Sequence, residues 1–129
     1  MSGRWIGVFA VAFAGSLTFV AIGQSEDKAP EAKAKHSIKD VMKIAHKDGL
    51  LKKVLEEESS EADRLALLDA YVSLTESVPE MGSAEDWTKK TDAIVVAAAK
   101  VAVGRDDAKE ALKAASNCAA CHKEHKPSN

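Results

Sequence analysis

Aromatic side chains are scarce in this 129-residue chain, at 5%, and glycine and proline are few, at seven and three. That shortage argues against a sheet built from β-branched and aromatic residues and favours close-packed, alanine-rich helices. Positive charge is in no excess either. Eighteen Lys and Arg against 20 Asp and Glu give a formal net charge of -2, which excludes the basic surface a nucleic-acid binder uses to displace counterions. There is no internal repeat. Cysteine is limited to Cys118 and Cys121, both inside the stretch NCAACHKEH (117–125), which also holds two of the four histidines.

What is present, 46% hydrophobic and 29% charged residues, is the composition of one ordinary folded domain. Residues 1–23 carry Arg4, then an uncharged apolar stretch from Trp5 to Ile22, then the small-x-small pattern Ala21-Ile22-Gly23. This is the pattern of a secretory signal peptide, and an uncleaved membrane anchor is its rival. Either way the remainder is expected to be exported, in a bacterium to the periplasm, where a disulfide would be permitted. Residues 24–36 are mostly charged, contain Pro30 and lack a large apolar side chain, so they are expected to form a flexible linker. Residues 37–129 are expected to form the folded domain.

The apolar residues Ile38, Val41, Met42 and Ala45 lie on one helical face, opened by Ser37 and Asp40 as a capping box. Leu50, Leu51, Val54 and Leu55 lie almost opposite, so Gly49 is expected to stop the helix in a left-handed conformation before a short helix to about Glu57. Ser60 and Asp63 open the next helix, through about Ser77, with Leu65, Leu68 and Val72 on one stripe and Leu67, Tyr71 and Leu74 beside it. After a loop marked by Pro79 and Gly82, Ser83 and Asp86 open a helix carrying Trp87, Thr91, Ile94, Val95, Ala98 and Val101 and ending at Gly104. A last helix from Asp106 and Asp107 carries Ala108, Ala111, Leu112, Ala115, Ala119 and His122 on one stripe. Short links between these helices predict an all-α, antiparallel four-helix bundle.

Cys118, Cys121 and His122 form the pattern C-x-x-C-H, the attachment signature of a c-type haem. Two thiols one helical turn apart can each bond a vinyl group of one porphyrin, and the adjacent imidazole then serves as proximal iron ligand. Three other readings fit less well. A Cys118–Cys121 disulfide would close a very small loop, strain a helix and gain little loop entropy. A thioredoxin-like redox pair wants a βαβ context. A zinc site of Cys118, Cys121, His122 and His125 would need four tetrahedral ligands from one continuous helix.

With this motif near the end of the last helix, followed by KEHK, the chain resembles the cytochrome c-prime superfamily from about Ser37 to Lys126, His125 and Lys126 matching the family's aromatic-or-histidine and basic positions. The resemblance implies one covalent haem c between the helices, His122 as axial ligand, and a first helix that meets the other haem face. Some members have a methionine there and transfer electrons; others leave the sixth site open and bind nitric oxide or carbon monoxide. The chain is shorter than most members, and the break at Gly49 departs from their long first helix.

Met42, on the apolar face of the first helix, is the candidate distal ligand, although a methionine there also serves as plain core. His46, one turn later, is the competitor and reads better as a half-exposed histidine near a helix C-terminus. His36 is expected to be solvated, His125 to sit at the surface or near a haem propionate, and Lys126 to pair with a propionate or remain in water. Trp87 and Tyr71 are expected to pack the bundle or the porphyrin edge. Lys43, Lys47, Lys52 and Lys53 could dock an acidic redox partner or simply solvate their helices. The expectation is an exported electron-transfer cytochrome rather than an enzyme, with a five-coordinate gas-binding haem protein as the alternative. Its partners would be redox proteins and not nucleic acid, with membrane contact only through an uncleaved N-terminus. Many bundles of this family are dimers, but no apolar stripe is clearly left over for an interface.

Overall fold

The structure, a computed structural model, describes residues 33–56 and 58–128. The expected signal peptide or anchor at 1–23, and the linker up to residue 32, lie outside the described residues. Among these residues the chain is all-helical, with no strand, and is compatible with a helical bundle. No helix among them is long and apolar enough to cross a membrane.

Helix α1 (Ile38–Met42) begins at Ser37, whose hydroxyl accepts the Asp40 N–H while the Asp40 carboxylate accepts the Ser37 N–H, a reciprocal capping box. The helix then widens into a π-helical turn (Lys43–Lys47) closed by the Asp48 N–H donating to the Lys43 carbonyl at 2.8 Å. That turn is legible in no propensity, and such turns often accompany functional sites. Gly49 follows with φ +81°, the left-handed stop its surroundings call for, and α2 (Leu50–Leu55) turns its own apolar face inward through Leu51 and Val54.

Helix α3 (Glu61–Thr75) starts at a second capping box, Ser60 with Asp63, and Lys53 of α2 adds an ion pair to Asp63 at 2.7 Å. Of its two candidate stripes, the one with Leu67, Tyr71 and Leu74 is buried, whereas Leu65 is half exposed. Ser83 caps α4 (Ala84–Ala102), which buries Trp87, Ile94, Ala97, Ala98 and Val101 and stops before Gly104 at φ +72°. The Trp87 indole N–H donates to the carbonyls of Leu74 and Ser77, both at 3.0 Å, tying α4 to the C-terminal end of α3 and the loop that follows it. Helix α3 packs on α1, α2 and α4, and α4 packs on α5 (Ala108–Ala115).

The last helix does not run on as expected. Ser116 leaves helical geometry, Asn117 is extended, and its side chain accepts the Ala120 N–H as the cap of a separate helix, α6 (Cys118–His125). An Asn side chain that bonds its own neighbouring backbone competes with helix continuation. The predicted stripe therefore ends at Ala115, and Ala119 is exposed. The segment before α1 is tied down as well. Lys35 pairs with Asp69 of α3 at 2.6 Å, His36 lies 3.5 Å from the same carboxylate, and the His36 N–H donates to the buried Ser73 hydroxyl. His36 is thus half-buried against α3 rather than solvated.

Candidate functional site

The break at Asn117 sets the direction of α6 independently of α5, and α6 packs against α4. Its cysteines are one turn apart and not joined, with Cys118 exposed and Cys121 half-buried against the core. Burial pushes the Cys121 thiol up, outweighing the lowering effect of nearby Lys90. The βαβ context that a thioredoxin-like pair wants is lacking, because the described residues hold no strand.

Cys118, Cys121 and His122 line a cavity of about 530 Å³. Met42 and His46, from α1 and the π turn, line the same cavity, as do Tyr71 and Leu74 of α3 and Thr91 and Ile94 of α4. The space thus draws together residues separated by some eighty positions in sequence, including both distal candidates and the whole cysteine-histidine motif. Ala93, Ala114, Ala115 and Ala120 add small apolar surfaces, and Lys89 and Lys90 contribute positive charge.

His46 lies near the end of the π turn and is partly exposed, as expected, but it lacks the positive charge that a helix end would favour. It is half-buried, its ring lies 6.4 Å from that of Tyr71, and burial, aided by the nearby His122, holds it below the usual histidine range. A neutral imidazole on the wall of the cavity is the result. Tyr71 is fully buried, and its hydroxyl is without a hydrogen-bond partner. Burial, and secondarily Cys118, pushes its ionisation well above the ordinary tyrosine value, so it remains a neutral donor. A buried hydroxyl left unpaired costs about 1–3 kcal/mol.

His125 is neither at the surface nor on this cavity. Its side chain is 2% exposed, with Nδ1 3.0 Å from the Met81 carbonyl and Nε2 2.8 Å from the Asp86 carboxylate. Its ring meets Trp87 edge-on at 5.2 Å. Lys90 and His125 together hold the Asp86 carboxyl below the usual carboxylate range, Lys90 contributing more. With His125 so engaged, the four-ligand zinc reading lacks one of its members, and among the described residues no three Cys, His, Asp or Glu converge on a metal position. Lys126 is exposed and does not line the cavity. Lys89 and Lys90 are the basic groups there instead, and only their packing on α4, not any sequence pattern, brings them to it.

Three of the four lysines considered for partner docking already have partners: Lys43 with Asp48 at 2.8 Å, Lys52 with Glu56 at 3.8 Å and Lys53 with Asp63 at 2.7 Å. Trp87 packs the bundle, whereas Tyr71 also borders the cavity. No known family profile, curated protein or solved structure matches the chain.

Proposed function

We propose that the chain is an exported monohaem c-type cytochrome that transfers electrons, in a four-helix bundle akin to that of the cytochrome c-prime superfamily. The observation that carries this reading is the single cavity bordered by Met42 on one side of the sequence and by Cys118, Cys121 and His122 on the other. Its residues fit such a group on four counts. A volume of about 530 Å³ is within the range of cofactor sites, and the walls are largely apolar. Two uncoupled thiols sit one turn apart beside an imidazole. A thioether sulfur is available for the far face. Lys89 adds a cation on the lining for a porphyrin carboxylate.

In this reading Cys118 and Cys121 would hold the haem as thioethers, and His122 and Met42 would bind its iron. The iron supplies the chemistry, exchanging one electron between two oxidation states. The chain's own work is to hold and to exclude. Leu74, Ile94 and the alanines of α4 and α5 keep water from the cavity, which limits reorganisation when charge changes. Lys89 offers positive charge to carboxylates at the cavity edge, whereas Lys90 is already paired with Asp86. His46, kept neutral by burial, adds no charge of its own.

A second reading, a five-coordinate haem protein that binds nitric oxide or carbon monoxide, is favoured by one observation. The neutral imidazole of His46 on the cavity wall offers a donor that suits a bound diatomic and that a methionine-filled site would not need. The substitution Met42→Ala separates the two. Electron transfer predicts a low-spin wild type with a methionine-to-iron charge-transfer band that the variant loses. A high-spin spectrum indifferent to the substitution would replace the first reading with the second.

A further inference from the structure

Helix α6 is held to the rest of the fold by remarkably little side-chain burial for a segment that carries the chemistry. Six of its eight residues, Cys118, Ala119, Ala120, His122, Lys123 and Glu124, are exposed, leaving Cys121 half-buried and His125 buried. An eight-residue helix has little stability of its own, so these two residues, four apart on one face, must supply its docking. Cys121 alone would leave α6 free to roll about its axis. His125 removes that freedom.

Its surroundings are built to hold it. The two groups that meet the ring nitrogens, the Met81 carbonyl at Nδ1 and the Asp86 carboxylate at Nε2, are both acceptors and hold the ring from opposite sides. One bond reaches the loop between α3 and α4, the other the first turn of α4, and Trp87 closes the side. Gly82, at φ +90°, completes the slot: a Cβ there would collide with the imidazole and approach the Glu124 carbonyl to 2.7 Å. A glycine is needed here for its backbone and for its missing side chain at once.

The geometry points to His125 as the positioning residue of the haem-attachment segment: by locking α6 onto the α3–α4 loop and α4, it fixes the roll at which His122 and the two thiols meet the cavity. This rests on the cytochrome reading and adds to it a residue that touches neither the cavity nor, in that reading, the iron. His122 is three residues before His125, so a roll of α6 carries both together.

The test compares full-length wild type, His125→Phe, His125→Gln, Asp86→Asn and Gly82→Ala, all produced with a haem-attachment pathway. Intact mass reads covalent haem, electron paramagnetic resonance of the ferric form reads axial ligation, and circular dichroism of each variant sets a temperature at which it is folded. His125→Phe retains bulk against Trp87 but no donor, and is expected to replace the single wild-type ligation signature with a mixture and to lower haem occupancy. Gly82→Ala, which changes no residue of α6 but crowds the ring and the Glu124 carbonyl, is expected to do the same. His125→Gln, which keeps a donor, is expected to recover part of the wild-type signature. Asp86→Asn is read in parallel, so that loss of folding in one variant leaves another to decide. Folded, fully loaded variants with the wild-type signature would overturn the positioning role alone. A wild type that takes up no haem would overturn the cytochrome reading itself.

Discussion

Tyr71 concentrates the tension in this site. Its ring belongs to the core, yet its hydroxyl is buried without a partner at the edge of the cavity. The haem-free chain should therefore be stabilised by Tyr71→Phe, by about 1 kcal/mol, since the substitution removes an unmet donor and little else. Urea unfolding of both chains without haem measures this, and equal midpoints would mean that the hydroxyl is already satisfied. At this scale much was legible in sequence. Cys118, Cys121 and His122 stand out by spacing, Met42 only by what the resemblance implies for the first helix, and all four border one cavity. His125 did not stand out. Its four-residue spacing from Cys121 hinted at a shared face, but its burial depends on Met81, Gly82 and Asp86, which only the fold brings near.

Helix starts follow from local chemistry, and the three Ser-x-x-Asp openings at Ser37, Ser60 and Ser83 all behave as caps. The second is the most strongly tied. Lys53 contributes most, with the Ser60 backbone and side chain, to lowering the Asp63 carboxyl from 3.8 to about 2. A carboxyl whose folded value is depressed binds fewer protons folded than unfolded, so its stabilisation is present above the unfolded value and lost as pH falls through the folded one. Wild type should thus lose stability between about pH 4 and pH 2 more steeply than Asp63→Asn. Denaturant midpoints across that window check it, and parallel acid limbs would contradict it. Interruptions were harder to foresee than starts. Gly49 is readable because apolar residues before and after it face opposite sides of one straight helix. The π turn at Lys43–Lys47 has no such signature, since its residues are ordinary helix formers. Asn117 did carry one, a capping residue type within an otherwise periodic run, but the continuing stripe through Ala119 and His122 concealed it.

At the scale of the whole molecule, the helical class follows from composition, while the cavity follows from packing. Alanines at buried positions of α4 and α5, among them Ala97, Ala98 and Ala108, let those helices approach closely. The space that remains lies between α1, α3, α4 and α6. Nothing in the sequence states that Met42 and Cys118 border the same volume, because that relation needs every intervening helix to be in register. The account's central claim is that this volume is made for a porphyrin fastened to Cys118 and Cys121. It is tested most directly by the intact mass, under denaturing conditions, of full-length protein made with a haem-attachment pathway, beside the double variant Cys118→Ser/Cys121→Ser. The account predicts a wild type heavier by one haem that survives denaturation, and a double variant without it. A wild type of unmodified mass, with both thiols open to alkylation and no Soret absorption, would contradict it.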